Sequence, residues 1–178
     1  ETLLAAGLRA GITLPYECAT GTCGTCRGRV MEGEAEMPWA EAPGAAKLKR
    51  ARGDCLLCQT RARSDVVVRV PSSTVSADPG ARPIPGHHVG RIEGPRRLTR
   101  DVMHFDLALE RAMDYQAGQF ALLEVEGLPG ARAYSMVTHA PGTDRLGFVV
   151  KRLPGGGFSD WLFDGPVEGA AVRLFGPL

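Results

Sequence analysis

Nine consecutive residues of this chain hold three cysteines: Cys18, Cys23 and Cys26, written C-A-T-G-T-C-G-T-C. Three thiols so close together, with Gly21, Gly24 and small residues between them, are incompatible with a regular helix or strand. They predict instead a loop from Glu17 to Gly28 that wraps around something. A second pair, Cys55 and Cys58, follows, and no cysteine occurs from Pro71 onward. A disulfide framework would spread its pairs across the core it staples, and the five cysteines are an odd number. Concentration at one end points to ligation.

Three readings of that cluster are open. Zinc takes four cysteines, usually from two knuckles rather than from one loop carrying three. A redox C-x-x-C pair could be formed by Cys23 and Cys26 or by Cys55 and Cys58, although neither pair opens a helix after a strand. Two sulfide-bridged irons need four thiolates, and a C-x4-C-x2-C loop with one distant cysteine supplies them. The spacing favours the [2Fe–2S] cluster. The tight wrap also aims backbone N–H groups at the sulfurs, which stabilises the reduced state.

The stretch L-P-Y-E-C-A-T-G-T-C-G-T-C resembles the cluster loop of plant-type ferredoxins. That resemblance implies an α+β, β-grasp ferredoxin domain over residues 1–71, without the β-hairpin that usually precedes the first helix. It also implies the ligand set Cys18, Cys23, Cys26 and Cys58. The family's fourth ligand stands seven residues before an Asp that opens the last strand, as Cys58 stands before Asp65 in C-Q-T-R-A-R-S-D-V. Cys55 is then a small core residue beside the cluster.

Local patterns fill in the domain. Thr2 can cap a helix running to Arg9, with Leu3, Leu4 and Leu8 on one face and Gly11 as its left-handed stop. Arg29 to Met31 reads as a strand turned by Gly33, Pro43 to Arg50 as a short helix, and Val66 to Val70 as a strand stopped at Pro71. Residues 72–86 change abruptly to Pro, Ser, Gly, Ala and Asp, the composition of an interdomain linker.

Residues 87–178 read as short strands separated by turns. Met103, Phe105, Leu107 and Leu109 alternate with His104, Asp106 and Ala108, the period of a half-buried strand. Further strands are expected at Gln119 to Val125, Arg132 to Val137, Leu146 to Arg152 and Ala171 to Phe175, with one helical segment at Ser159 to Phe163. Such spacing favours an all-β antiparallel sandwich or barrel.

Three short motifs stand in order on these strands: Gly118-Gln119-Phe120, Arg132-Ala133-Tyr134-Ser135, and Gly155-Gly156-Gly157-Phe158-Ser159. Together they resemble the FAD domain of the ferredoxin–NADP reductase superfamily, which implies a six-stranded antiparallel FAD-binding barrel. In that family's terms Arg132 pairs with the pyrophosphate, for which its rigid fork is suited. Tyr134 stacks on the isoalloxazine, and the Ser135 hydroxyl lies near flavin N5. The run containing Val149, Val150 and Lys151 lays its backbone along the cofactor. Gly156 and Gly157 allow close approach, and a helix starting near Ser159, just after Phe158, offers free N–H groups to phosphate. Phe175-Gly176-Pro177 matches the family's exit from the barrel, after which a nicotinamide-binding domain normally follows.

The order ferredoxin then flavin barrel resembles reductase components of bacterial multicomponent mono- and dioxygenases. The implied function is electron transfer from NAD(P)H through FAD and the cluster to an oxygenase or its ferredoxin. NADH is the donor in the full-length protein, and the NAD domain is supplied in cis or in trans. No residue is expected to act as nucleophile or general base. A reductase for another acceptor, such as a deoxysugar dehydratase, and a non-enzymatic ferredoxin-type carrier are the rival readings.

Charge and hydropathy bound the partners. Twenty-one basic residues against 20 acidic ones give a net charge of +1, which offers no reason to expect nucleic acid or an anionic membrane. The basic runs Lys47 to Arg52 and Arg96 to Arg100 read as solvated faces, or as docking patches for an acidic partner. No window approaches the ~18–20 apolar residues of a spanning helix, and no signal peptide opens the chain, so a cytoplasmic location is expected. Because Thr2 to Leu8 already reads as helix and Glu1 is not a start methionine, chain upstream of Glu1 is expected too. His87, His88, His104 and His139 lack a metal-site spacing.

Overall fold

In the computed structural model, residues 1–71, 83–138, 140 and 142–178 are described. Most of the linker expected at residues 72–86, and His139, lie outside them. The chain divides into two compact units, Glu1–Ile84 and Pro85–Leu178.

The first unit opens with helix α1 (Leu3–Arg9), whose N-cap Thr2 accepts the Ala5 N–H on its hydroxyl at 3.2 Å. Leu4, Ala5 and Leu8 are its buried face; Leu3 is only half-buried. The helix ends at Ala10, and Gly11 turns the chain with φ +76° while donating to Leu8 O at 3.0 Å.

Five short strands follow: β1 (Arg27–Glu32), β2 (Ala35–Glu36), β3 (Asp54–Leu56), β4 (Arg61–Ala62) and β5 (Val67–Arg69). They form an antiparallel sheet in the order β3-β1-β5 and a separate β2-β4 ladder. Gly28, the second residue of β1, is crowded: a Cβ there would stand 2.7 Å from Leu57 and 3.2 Å from Val68. Strand β1 therefore begins inside the run expected to be irregular, while β5 is shorter than the expected Val66 to Val70.

The helix expected from Pro43 to Arg50 is replaced by two single 3₁₀ turns, Pro43–Ala45 and Arg50–Arg52. Its amides bond three residues back rather than four: Ala45 N–H to Ala42 O at 2.8 Å, Ala46 N–H to Pro43 O at 3.4 Å and Leu48 N–H to Ala45 O at 3.0 Å.

The second unit is one six-stranded antiparallel sheet, with strand β6 (Gly86–Arg97), β7 (Val102–Met113), β8 (Phe120–Glu124), β9 (Arg132–Ser135), β10 (Thr143–Lys151) and β11 (Ala171–Gly176). The order is β10-β7-β6-β11-β8-β9, and among the described residues the two edges meet at a bridge between Met136 and Phe148. The sheet thus curls into a nearly closed barrel.

Met103, Phe105, Leu107 and Leu109 of β7 all point inward, as their alternation predicts. Phe105 and Phe148 are fully buried with ring centroids 5.5 Å apart, and Leu123, Leu146, Val150, Val172 and Leu174 complete the filling. Helix α2 (Gly157–Asp164) adds Phe158, Leu162 and Phe163 to the same core. It starts two residues ahead of the Ser159 expected from sequence, on the N-cap Gly156.

Candidate functional site

The cysteine loop is shaped by its backbone. Ala19 adopts φ +53°, Gly21 +88° and Gly24 +81°, three left-handed bends within six residues. The bends turn N–H groups inward onto sulfur. Thr20 and Cys23 donate to Cys18 Sγ at 3.4 and 3.3 Å, and Thr25 donates to Cys23 Sγ at 3.4 Å. Thr25 Oγ1 also donates to Glu17 Oε2 at 2.9 Å, which ties the loop's beginning to its end.

The 3₁₀ turn at Pro43 presses against this loop. A Cβ on Gly44 would stand 2.6 Å from Gly24 N and 2.9 Å from Gly21 O, so only glycine fits there.

Cys58 reaches the loop from a turn braced on three sides. Leu57 donates to Cys26 O at 2.8 Å. Two orphan amides of the α1 N-terminus are spent on the same turn: Leu3 N–H on Thr60 O at 2.8 Å and Leu4 N–H on Leu57 O at 3.0 Å. The buried Thr60 hydroxyl donates to Leu56 O at 2.8 Å.

The sulfurs fall into an outer and an inner pair. Cys23 is exposed and Cys18 half-buried, whereas Cys26 and Cys58 are 1% and 4% exposed. Cys26 and Cys58 hydrogen-bond to each other. That bond holds the Cys26 thiol below its usual range and, with burial, pushes the Cys58 thiol up.

Cys18 is lowered to about 6: burial acts to raise it, but the N–H groups of Cys23 and Thr20 outweigh that. Donors of this kind favour the thiolate that a metal needs. Among the described residues, no three His, Cys, Asp or Glu side chains are grouped to hold a single metal ion. A binuclear cluster distributes its four sulfurs two and two over separate irons.

The four sulfurs, the small residues and the inward amides fit a [2Fe–2S] cluster. Cys55 is engaged elsewhere. It is buried in β3 with its sulfur bonded to the Thr60 side chain and the Gly28 backbone, and burial pushes its thiol up.

The second set of residues lines the barrel seam. Beyond the Met136–Phe148 bridge, β9 and β10 are the sheet's edge strands, so they keep unpaired backbone groups there. Arg132 is half-buried, and its Nη1 donates to Pro129 O at 3.2 Å and Ala131 O at 3.1 Å. It has no ion pair among the described residues, which leaves its charge available to an anion.

Tyr134 lies 5.2 Å from the Phe158 ring, which lies 5.6 Å from Trp161. Burial raises the Tyr134 hydroxyl, and Arg132 partly offsets this. Ala133 and Ser135 are exposed, as are the apolar Val137 (53%) and Val149 (41%). Lys151 pairs with Asp101 at 3.8 Å. Edge strands carrying exposed valines and an arginine with no ion pair among the described residues suit a ligand with an apolar part and a charged part.

Helix α2 enters beside the seam. In its first turn the N–H groups of Gly157, Phe158 and Ser159 have no intrahelical acceptor. A Cβ on Gly157 would meet nothing nearer than Leu128 at 4.0 Å, so the space above it is open. A Cβ on Gly156 would stand 2.8 Å from Leu153 O, so the turn itself requires glycine there. Phe158 and Val150 are buried, which limits any role toward a ligand to their backbones.

The Ser159 hydroxyl is turned inward. It accepts the Leu153 N–H at 3.0 Å and reaches Leu153 O and Gly156 O at 3.1 Å. It therefore staples the loop.

Arg152, which the sequence reading placed only at a strand end, positions this helix. Its Nε meets Asp160 at 2.9 Å, its Nη1 and Nη2 meet Asp164 at 2.9 and 2.5 Å, and its guanidinium lies 5.6 Å from the Phe163 ring. Asp160 also accepts the Gly155 N–H at 2.9 Å. The signal was present as two aspartates four apart, one helical turn, downstream of an arginine.

Residues 1–63 match the family described as "2Fe-2S iron-sulfur cluster binding domain", and residues 90–178 match "Oxidoreductase FAD-binding domain". The ferredoxin–NAD(P)(+) reductase CarAd of Metapseudomonas resinovorans is 36% identical over 184 residues, covering 100% of this chain and 54% of the relative. The ferredoxin–NAD(+) reductase component of the Xanthobacter autotrophicus alkene monooxygenase system is 34% identical over 178 residues, covering 99% and 53%. The solved structure of a ferredoxin reductase in carbazole 1,9a-dioxygenase superposes with TM-score 0.87 at 36% identity, covering 100% of this chain and 55% of its own. The chain thus spans about half the length of the curated relatives it matches.

Proposed function

The chain belongs to the oxidoreductase FAD-binding domain family, with a 2Fe-2S iron-sulfur cluster binding domain ahead of the barrel, and from that we propose that it serves as the electron-splitting part of an oxygenase reductase. Electrons enter from NAD(P)H bound by a nicotinamide domain in cis or in trans, and they leave to an oxygenase or to that oxygenase's ferredoxin. The relatives' printed roles support this acceptor class. A flavin takes two electrons as a hydride and a [2Fe–2S] cluster carries one, so the pair converts a two-electron donor to single-electron delivery.

We assign the cluster to Cys18, Cys23, Cys26 and Cys58. The exposed Cys23 and half-buried Cys18 form the edge nearest solvent, where an acceptor can approach. We assign FAD to the seam. Arg132 and the α2 N-terminus at Gly156, Gly157 and Phe158 hold its phosphates. Tyr134, Ser135 and the backbone of Val149, Val150 and Lys151 hold its ring. Ala133 exposes backbone on the same edge strand, and Ser159 acts indirectly by fixing the loop. We place the protein in the cytoplasm, a reducing compartment suited to its free cysteines. No helix among the described residues is long and apolar enough to cross a membrane.

The observation that carries the reading is the inward set of amides on Cys18 and Cys23 at 3.3–3.4 Å, a cradle already aimed at anionic sulfur. An anaerobic dithionite titration of reconstituted protein tests it. Two electrons per chain should bleach the flavin bands and one more the cluster bands, with a reduced-cluster EPR signal. Protein that binds zinc in place of iron, or takes up no flavin, would overturn it.

A further inference from the structure

We propose that Gln59 sets the reduction potential of the cluster by donating its side-chain amide N–H to the sulfur of Cys58. The inference rests on the assignment of Cys58 as a ligand and adds a named side chain that tunes it.

Three observations carry it. First, Gln59 Nε2 stands 3.7 Å from Cys58 Sγ, within reach for the larger sulfur acceptor. Second, the side chain lies against Gly21 of the cluster loop. A Cβ there would be 3.0 Å from Gln59 Cγ and Cδ and 3.1 Å from Nε2, so the missing side chain of Gly21 makes room for the amide. Third, the backbone beneath is fixed. Gln59 N–H donates to Leu56 O at 3.0 Å, and the flanking carbonyls of Leu57 and Thr60 are pinned by α1. The amide is half-buried rather than waving in solvent, so little ordering is left to pay for on cluster assembly.

The physical effect has a definite sign. One electron entering the cluster makes the ligand sulfurs more negative, and no bond forms or breaks. An N–H donor stabilises the more negative form more, so it raises the reduction potential. The donors to Cys18 and Cys23 include backbone amides that survive any side-chain change. Gln59 offers the inner pair a donor that a single substitution removes.

Gln59→Met keeps length and removes the donor; Gln59→Glu keeps shape and replaces the NH₂ with anionic oxygen. In the cluster-loaded protein, spectroelectrochemical titration is expected to show a lower cluster midpoint in Gln59→Met. The expected size is about a tenfold change in the reduction equilibrium, ~59 mV for a one-electron couple. Gln59→Glu should fall further, and the flavin midpoint should stay put in both. An assembled cluster whose midpoint is unmoved or raised in Gln59→Met overturns the proposal.

The unsubstituted protein supplies a second readout. With side-chain ¹⁵N-glutamine, the reduced cluster should show hyperfine coupling to an amide nitrogen, and no coupling likewise overturns it. A protein that assembles no cluster at all, visible before any potential is measured, counts against the ligand assignment as well.

Discussion

The carbonyl oxygen of Cys26 accepts the N–H of Leu57 at 2.8 Å. This bond joins Cys26 to the residue just before Cys58, across a gap of thirty-odd residues in sequence. Because α1 pins the other side of the same turn, Cys58, the proposed distant ligand, is positioned by backbone hydrogen bonds.

That delivery separates Cys58 from Cys55. Cys58→Ser should strip or strongly alter the visible absorption of the cluster and lower iron per chain. Cys55→Ser should leave both near their starting values, because its sulfur already bonds within the core. Visible spectra and iron assay of the two variants decide this. Loss of iron in both would mean the turn had been assigned the wrong ligand.

Gly44 carries a sharper test of the loop. The added methyl of Gly44→Ala would meet backbone at 2.6 Å, and rigid backbone cannot step aside as a side chain end can. Iron incorporation should drop severalfold while flavin binding to the other unit is retained. Parallel iron and flavin assays on one preparation measure both.

Arg132 should dominate flavin affinity. Removing a charge-assisted hydrogen bond costs about 1.5–3 kcal/mol, or roughly 10- to 150-fold in Kd. Arg132→Ala should weaken FAD binding by that order, and Arg132→Lys by less, since charge survives but the fork does not. Flavin fluorescence quenching gives the constants.

His88 makes the barrel's stability depend on pH. Burial, the nearby Arg111 and His87 all lower its affinity for a proton below the usual value of 6.5. The unfolded chain then binds a proton that the folded chain refuses. Stability is full above about pH 6.5 and declines as pH falls through the lowered midpoint. Since His88 is partly exposed the effect is modest. Denaturation midpoints compared at pH 7.5 and 5.5 should converge in His88→Gln relative to the unsubstituted protein, and an NMR titration should place His88 below 6.5.

Sequence revealed some of this architecture far more readily than the rest. The alternation in β7 was plain because Met103, Phe105, Leu107 and Leu109 face one continuous core. Strand β6 escaped notice. Only Gly90 and Ile92 are buried along it, its register with β7 shifts between Glu93 and Arg96, and Gly94-Pro95 resembles a turn. Strands β2 and β4 have two residues each, too few for any period.

At the proposed cofactor residues, cysteine spacing pointed to the candidate ligand set because thiolate chemistry admits few alternatives. The spacing of Asp160 and Asp164 hinted at Arg152, but spacing was silent on Gln59, whose proposed role depends on the fold bringing it to Cys58. Nor does anything in the glycine-rich motif indicate that the Ser159 hydroxyl faces Leu153.

Among the described residues the barrel's two edges meet at the Met136–Phe148 bridge, where Val137 N–H also donates to Gly147 O at 2.9 Å. A flavin bound at that seam, as proposed, would couple its binding to the barrel's folding equilibrium. By mass action, a hundredfold excess of free flavin over its Kd adds about 2.7 kcal/mol to unfolding. The thermal endurance of residues 85–178 is then a gauge of how well supplied with flavin its surroundings are.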